Sequence, residues 1–174
     1  LSIWEKIIKL NHNPSDKIFY ELGSGKVPIL PIALWLMGAK KIISIDKDLY
    51  FSKDLFFQFI NYIKNNKENL SYILNNKLID ERLEKLLQYP FEKKNDIRNA
   101  LNESFNIEFL SIENQNDQKI NPRSVDFYIS YSVLEHVNKK IINEIFMESK
   151  NILKKTGLQI HFIDYSDHYA QTDK

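Results

Sequence analysis

The sequence predicts an open α/β sheet, mainly parallel and doubly wound, with helices on both faces. Three observations carry that prediction. Apolar runs of strand length, at residues 18–22, 42–45, 107–112, 125–130 and 158–165, alternate with stretches whose apolar residues recur at helical spacing. A glycine turn, Gly23-Ser24-Gly25, separates the first run from the first helical stretch. An acid, Asp46, closes the second run 21 residues beyond Gly25. Strands that alternate with helices give a parallel sheet with right-handed crossovers.

Taken in order, Ser2-Ile3-Trp4-Glu5 has the form of a capping box, and Trp4, Ile7 and Ile8 supply the apolar face of a short opening helix. Residues 11–16, with Pro14, make a turn. Ile18, Phe19, Tyr20 and Leu22 suit a buried parallel strand. The two glycines after it let backbone N–H groups approach a ligand closely. Pro28 falls at the first helical turn, where its missing N–H costs nothing. Ile29, Ile32, Ala33, Leu36 and Met37 follow at helical spacing, and Gly38 ends the helix. Ile42, Ile43 and Ile45 form the second strand. Leu49, Leu55, Phe56, Phe59, Ile60 and Ile63 mark a further amphipathic helix.

From about 65 to 104 the chain is polar and helical in character. Its apolar faces are Leu70, Ile73 and Leu74, then Leu78, Ile79, Leu83, Leu86 and Leu87, and Pro90 ends that part. This is longer than a minimal crossover, so it reads as a helical insertion or extended crossover. Residues 113–123 form a polar loop. After the fourth strand, a helix over about 133–155 carries Val137, Ile141 and Ile145 at four-residue steps. Lys154-Lys155-Thr156-Gly157 gives that helix a cationic last turn and a glycine at the left-handed position.

Composition narrows the classes. The 174 residues amount to a single domain, 1–174. Hydrophobic residues are 43% and charged residues 27%, a globular balance. Lys+Arg 24 against Asp+Glu 23 gives a net charge of +1, which leaves no bulk electrostatic case for binding nucleic acid or a membrane surface. The absence of cysteine excludes disulfides and thiolate metal sites and fits a cytoplasmic location. The longest apolar stretch, 27–39, is too short to span a bilayer and carries two prolines, so no membrane insertion is expected. No secretory signal is visible, and the chain begins at Leu1 rather than Met.

Three kinds of site compete for the glycine turn. A phosphate-cradling P-loop is excluded, because Val27 follows Lys26 and position 20 is Tyr. A dinucleotide fingerprint lacks its third glycine, whose place Pro28 takes. A nucleoside site without a pyrophosphate remains, with Asp46 placed to accept from two ribose hydroxyls. Glu21-Leu22-Gly23-Ser24-Gly25 resembles motif I of the class I S-adenosylmethionine-dependent methyltransferases. Ser124-Val125-Asp126, followed by Val133-Leu134-Glu135-His136-Val137, resembles that family's fourth-strand motif. Leu153-Lys154-Lys155-Thr156-Gly157-Leu158 resembles the turn into its fifth strand. The three stand in the family's order and span most of the chain. The resemblance is closest to the type 11-like small-molecule branch.

The resemblance implies a Rossmann-like class I methyltransferase fold and S-adenosyl-L-methionine as cofactor. It implies Gly23, Ser24 and Gly25 at the methionyl part, Glu21 near the ammonium, Asp46 with Lys47 at the ribose, and Asn114 and Gln115 beside the adenine. Ser130 and Tyr131 would border the transferred methyl. A full sheet of this family has seven strands, and a sixth and an antiparallel seventh are not evident, so a C-terminally truncated sheet is expected. Beyond the fifth strand, His168 and Asp167 are the candidate catalytic groups on the acceptor side. Strand alternation sets Asp164 on the opposite face from His161, so no metal is expected. The partner is a small-molecule, sugar or lipid-like acceptor, methylated at O, N or C, and the oligomeric state is not written in the sequence. Two rivals stand beside this reading. An NAD(P)-dependent oxidoreductase suits Asp46 equally but not Pro28 or the Val133–Val137 segment. A non-catalytic interaction module on the same fold is suggested by Val27 in place of the third motif I glycine and by Asn114.

Overall fold

A computed structural model describes residues 2–47, 50–74, 77–112 and 120–165. In chain order the elements are α1 (Ser2–Lys9), β1 (Ile18–Leu22), α2 (Ile29–Leu36), β2 (Lys41–Asp46), α3 (Lys53–Asn65), α4 (Lys67–Ile73) and α5 (Asp80–Gln88). There follow a 3₁₀ turn (Phe91–Lys93), α6 (Ile97–Phe105), β3 (Ile107–Ser111) and β4 (Val125–Tyr131). A second 3₁₀ turn (Leu134–His136), α7 (Lys139–Ile152) and β5 (Leu153–Phe162) complete the described part. The strands form one parallel sheet in the order β3-β2-β1-β4-β5, as the alternation of periods predicts. The fold is α/β and Rossmann-like.

Alternation along the strands divides the core in two. Phe19, Ile42, Phe127, Ile129 and Ile160 face one way and pack under α1 to α6. Tyr20, Leu22, Ile43, Ile45 and Tyr128 face the other way, where Leu134, Ile145 and Ile152 cover them. Right-handed crossovers explain the division. The chain steps from β1 to β2 to β3 in one direction and from β3 to β4 to β5 in the other. The connections therefore fall on opposite faces, and the order reverses beside β1.

The C-terminus of α2 anchors the larger core. Gly38, at φ +107, lets its own N–H reach Trp35 O and the Ala39 N–H reach Leu34 O, both at 3.0 Å. Arg82 of α5 donates to Trp35 O in the last turn and to Ala39 O beyond the helix, and lies 5.0 Å over the Trp35 ring. At the same end of the sheet, Asp126 ties three strands together. Its carboxylate accepts from the Ile18 N–H at 3.0 Å and from Lys154 Nζ at 2.8 Å.

The structure corrects four local expectations. In α1 the buried residues are Ile3, Trp4 and Ile7, while Ile8 is 43% exposed, and Trp4 stacks on Phe19. The helix expected from residue 133 starts at Lys139. Ser132 takes a left-handed φ of 51°, the 3₁₀ turn follows, and Asn138 caps α7 by accepting from the Lys140 N–H. Glu135 therefore lies in the 3₁₀ turn and not at a helix N-terminus. Finally, Gly157 is not a left-handed helix cap. β5 begins directly after α7, and its register jumps from Leu153 opposite Val125 to Leu158 opposite Phe127. Gly157 sits in the jump, where a Cβ would stand 3.0 Å from Asp126 O, so the glycine serves close backbone approach. Among the described residues no helix is long and apolar enough to cross a membrane.

Asp126→Ala is expected to lower stability by about 2–4 kcal/mol, since it strands the Ile18 N–H and the Lys154 ammonium together. Lys154→Met, which leaves the Ile18 bond intact, should cost about 1 kcal/mol. Urea unfolding of the two variants checks the order.

Candidate functional site

The carboxyl ends of β1 and β2 lie side by side, with Leu22 opposite Ile45. The glycine turn leaves β1 here. Gly23, at φ +92, donates its N–H to Ile45 O at 2.7 Å, and Gly25 is also left-handed at φ +61. Asp46 Oδ2 accepts from the Gly25 N–H at 3.1 Å and the Ser24 hydroxyl at 3.4 Å, while Oδ1 accepts from the Lys47 N–H at 2.8 Å. Asp46 thus orders the turn and remains on its rim. It does not cap the next helix, because Ser52 does so by accepting from the Leu55 N–H.

The turn opens on a cleft of about 1040 Å³, at the upper end of the range for small-molecule sites. Gly23, Gly25, Asp46 and Lys47 stand at its outer end, and Tyr20, Leu22 and Ile45 form the floor. The second wall is the β4–α7 connection and one side of α7, where Val133, His136, Val137, Ile141 and Ile145 face the space. A Cβ at Gly25 would meet nothing within 4 Å, so the turn is open there. At Gly23 a Cβ would stand 2.4 Å from Val133 Cγ2, so that glycine is closed over by the opposite wall.

Not every residue singled out from the sequence reaches this cleft. Glu21 alternates with Tyr20 and Leu22 and faces the larger core. It is 3% exposed, and its Oε2 accepts from the Ser44 hydroxyl. Burial pushes its carboxyl up from 4.5 to about 8; the Ser44 bond opposes this and the neighbouring Asp46 charge adds to it. Ser130 is fully buried and its hydroxyl lies 2.7 Å from His161 Nδ1, whereas Tyr131 lines the cleft mouth and stacks on Phe162. Burial holds the His161 imidazole below its ordinary pKa. Asn114, Gln115, Asp167 and His168 lie outside the described residues. Among the described residues no three His, Asp or Glu gather as a metal ligand set.

Sequence reasoning missed the α7 wall. The four-residue steps of Val137, Ile141 and Ile145 read as a core face, but Ile141 is 49% exposed and lines the cleft. The signal was present in Glu144 and Glu148, which interrupt that face at helical spacing.

No family model and no curated protein sequence matches the chain. Solved structures do. A protein from Methanococcus maripaludis, described as a candidate S-adenosyl-L-methionine-dependent methyltransferase, superposes with a TM-score of 0.50 at 17% identity, over 91% of this chain and 52% of its own. PKMT2 from Rickettsia typhi, in complex with AdoHcy, gives 0.44 at 11% identity over 83% and 20%. The dehydrogenase part of multifunctional enzyme 1 from C. elegans gives 0.43 at 18% identity over 89% and 28%. The first of these likenesses carries the fold, and the chain spans about half the length of that protein.

Glu21 makes stability depend on pH. Below pH 4.5 both states hold its proton; between there and about pH 8 the unfolded chain releases a proton that the fold keeps, so stability falls as pH rises and then levels. Glu21→Gln should flatten that fall and be more stable than the wild type at pH 8, as thermal unfolding across pH 5–9 will register.

Proposed function

We propose that the chain is the cofactor-binding domain of a cytoplasmic S-adenosyl-L-methionine-dependent methyltransferase, acting on an O, N or C atom of a small-molecule, sugar or lipid-like acceptor. One observation carries the proposal. A carboxylate at the end of β2 holds a glycine turn at the end of β1 and keeps its rim on a large, mostly apolar cleft. The residues present fit the cofactor. Asp46 offers acceptors to a ribose diol, the open side of Gly25 admits a ligand against the backbone, and Leu22, Ile45, Ile112 and Val133 offer apolar walls to a heterocycle.

Bound S-adenosylmethionine supplies a methyl group already activated by its sulfonium charge. The protein's work is then alignment and the exclusion of water. Asp46 fixes the ribose end, and the apolar walls keep solvent from the heterocycle. Tyr131 and His136, at the cleft mouth, border the side from which an acceptor approaches. An oxygen or nitrogen acceptor also gives up a proton, for which Asp167 and His168 are the proposed takers.

Calorimetric titration of S-adenosylhomocysteine tests the reading. Asp46→Ala should weaken binding by about 1–3 kcal/mol, the loss of charge-assisted hydrogen bonds. Equal affinity in wild type and variant, or no binding to a folded wild type, contradicts it.

A further inference from the structure

The cleft and its glycine turn occupy the carboxyl ends of the strands. At the amino ends the charge is one-sided. Residues 11–17, 37–41, 106–108, 121–126 and 152–156, which lead into the five strands, hold six Lys and Arg against three acids. The net charge of +1 hides this, because the remainder of the chain is acidic on balance. Each of the three acids is matched. Asp126 holds Lys154 at 2.8 Å, Glu108 holds Lys41 at 2.7 Å, and Asp16 lies within electrostatic reach of Arg82. Lys17, Lys40, Arg123 and Lys155 are left over. They make no ion pair and donate no side-chain hydrogen bond among the described residues. Lys40, Arg123 and Lys155 are exposed, and Lys17 is half-buried. One stands at the start of each of β2, β1, β4 and β5, which are neighbours in that order, so the four charges form a row. Strands about 4.8 Å apart give the row a length of about 14 Å.

Helix C-termini also gather at this end, and cations there commonly answer the helix dipole. That does not account for the row, because backbone donors already serve the last carbonyls. The Gly38 and Ala39 N–H groups close α2, the Asn106 N–H closes α6 on Asn102 O, and the Arg123 and Ser124 N–H groups reach Asn151 O and Ile152 O of α7. The four side chains have no carbonyl left to hold. Arg123 adds an independent sign. It follows Pro122 and takes a left-handed φ of 54°, a conformation that favours Gly or Asn and costs other residues stability. The turn keeps a cation there at that cost.

We propose that this row is a docking surface for the sugar–phosphate backbone of a nucleic acid strand. Four charges in line, about 5 Å apart, match a linear polyanion better than a flat anionic surface. A nucleic acid strand carries one charge per about 3.4 Å of rise. The three ammonium groups and the Arg123 guanidinium meet phosphate oxygens with charge-assisted hydrogen bonds. Contacts of this kind position a strand and read no base, so binding is independent of sequence. The five residues of β1 put roughly 16 Å between the row and the glycine turn. The surface therefore holds a partner away from the cleft, and it stands without the methyltransferase reading.

The test is fluorescence anisotropy of a fluorescein-labelled oligouridylate of about twelve nucleotides, titrated with the full chain at pH 7 and at salt from about 50 to about 200 mM. Affinity should fall about fiftyfold across that range, the log–log slope of about −3 that four phosphate contacts give on a single strand. Lys17→Gln combined with Lys40→Gln should bring the slope to about half. Arg123→Gly should weaken binding about threefold or more at the lowest salt. It should also unfold thermally at or above the wild-type temperature, since glycine takes the left-handed turn without strain. Absent binding, an unchanged slope in the double variant, or wild-type affinity in Arg123→Gly overturns the surface. Vesicles containing phosphatidylglycerol, or polyglutamate, bound more tightly than the oligonucleotide also overturn it, and put a membrane or an acidic protein in its place.

Discussion

The hydrogen bonds from Gly25 N–H and Ser24 Oγ to the Asp46 carboxylate tie the end of β1 to the end of β2. The turn can fold back this far only because Gly23 and Gly25 both take positive φ. The arrangement also sorts two acids. Asp46 sits at the rim beside water, and Glu21, on the adjacent strand, is buried against Ser44. Burial and the nearby Asp46 charge favour a neutral Glu21, so the pair does not place two charges in one corner of the core. The rim carboxylate is left as the charged group that a ligand meets.

The cleft exists because the two faces of the sheet are covered unequally. Among the described residues six helices pack on the Phe19 face, while α7 and a 3₁₀ turn pack on the Tyr20 face. The left-handed Ser132 and the 3₁₀ turn delay the start of α7 and carry Val133 over Gly23. That contact closes the wall at the outer end. Along α7, residues that would otherwise be core, Ile141 and Ile145, become the side of a groove. Glu144 and Glu148 then have a physical reason to lie on an apolar face, because the face looks onto open space and not onto packed side chains.

Much of this was legible in the residues themselves. Four of the five strands could be read because Ile18–Leu22, Lys41–Asp46, Ile107–Ser111 and Val125–Tyr131 are short apolar runs bounded by turn residues, and β strands of a parallel sheet are buried on both faces. Alternation alone places Glu21 away from Tyr20 and Leu22. Asp46 and the glycines could be read because their spacing is set by the length of one strand–helix–strand unit. The start of α7 could not, since the Val133–Val137 segment has helical composition and the left-handed Ser132 that breaks it carries no sequence mark. Gly157 misled because a glycine after two lysines has the form of a helix cap, whereas its place is decided by a register jump against β4. The cleft is a property of how much of one face is left uncovered, and no local pattern encodes that.

The account turns on the Gly25–Asp46 corner being the seat of the cofactor. The most direct measurement is the backbone amide resonance of Gly25 in isotopically labelled protein, followed during titration with S-adenosylhomocysteine and then, in a separate sample, with NADH. A saturable shift of Gly25 with S-adenosylhomocysteine, with little change at the Ile18 amide held by Asp126 at the far end of the sheet, is the expected result. A Gly25 resonance that ignores S-adenosylhomocysteine, or that moves with NADH alone, contradicts it.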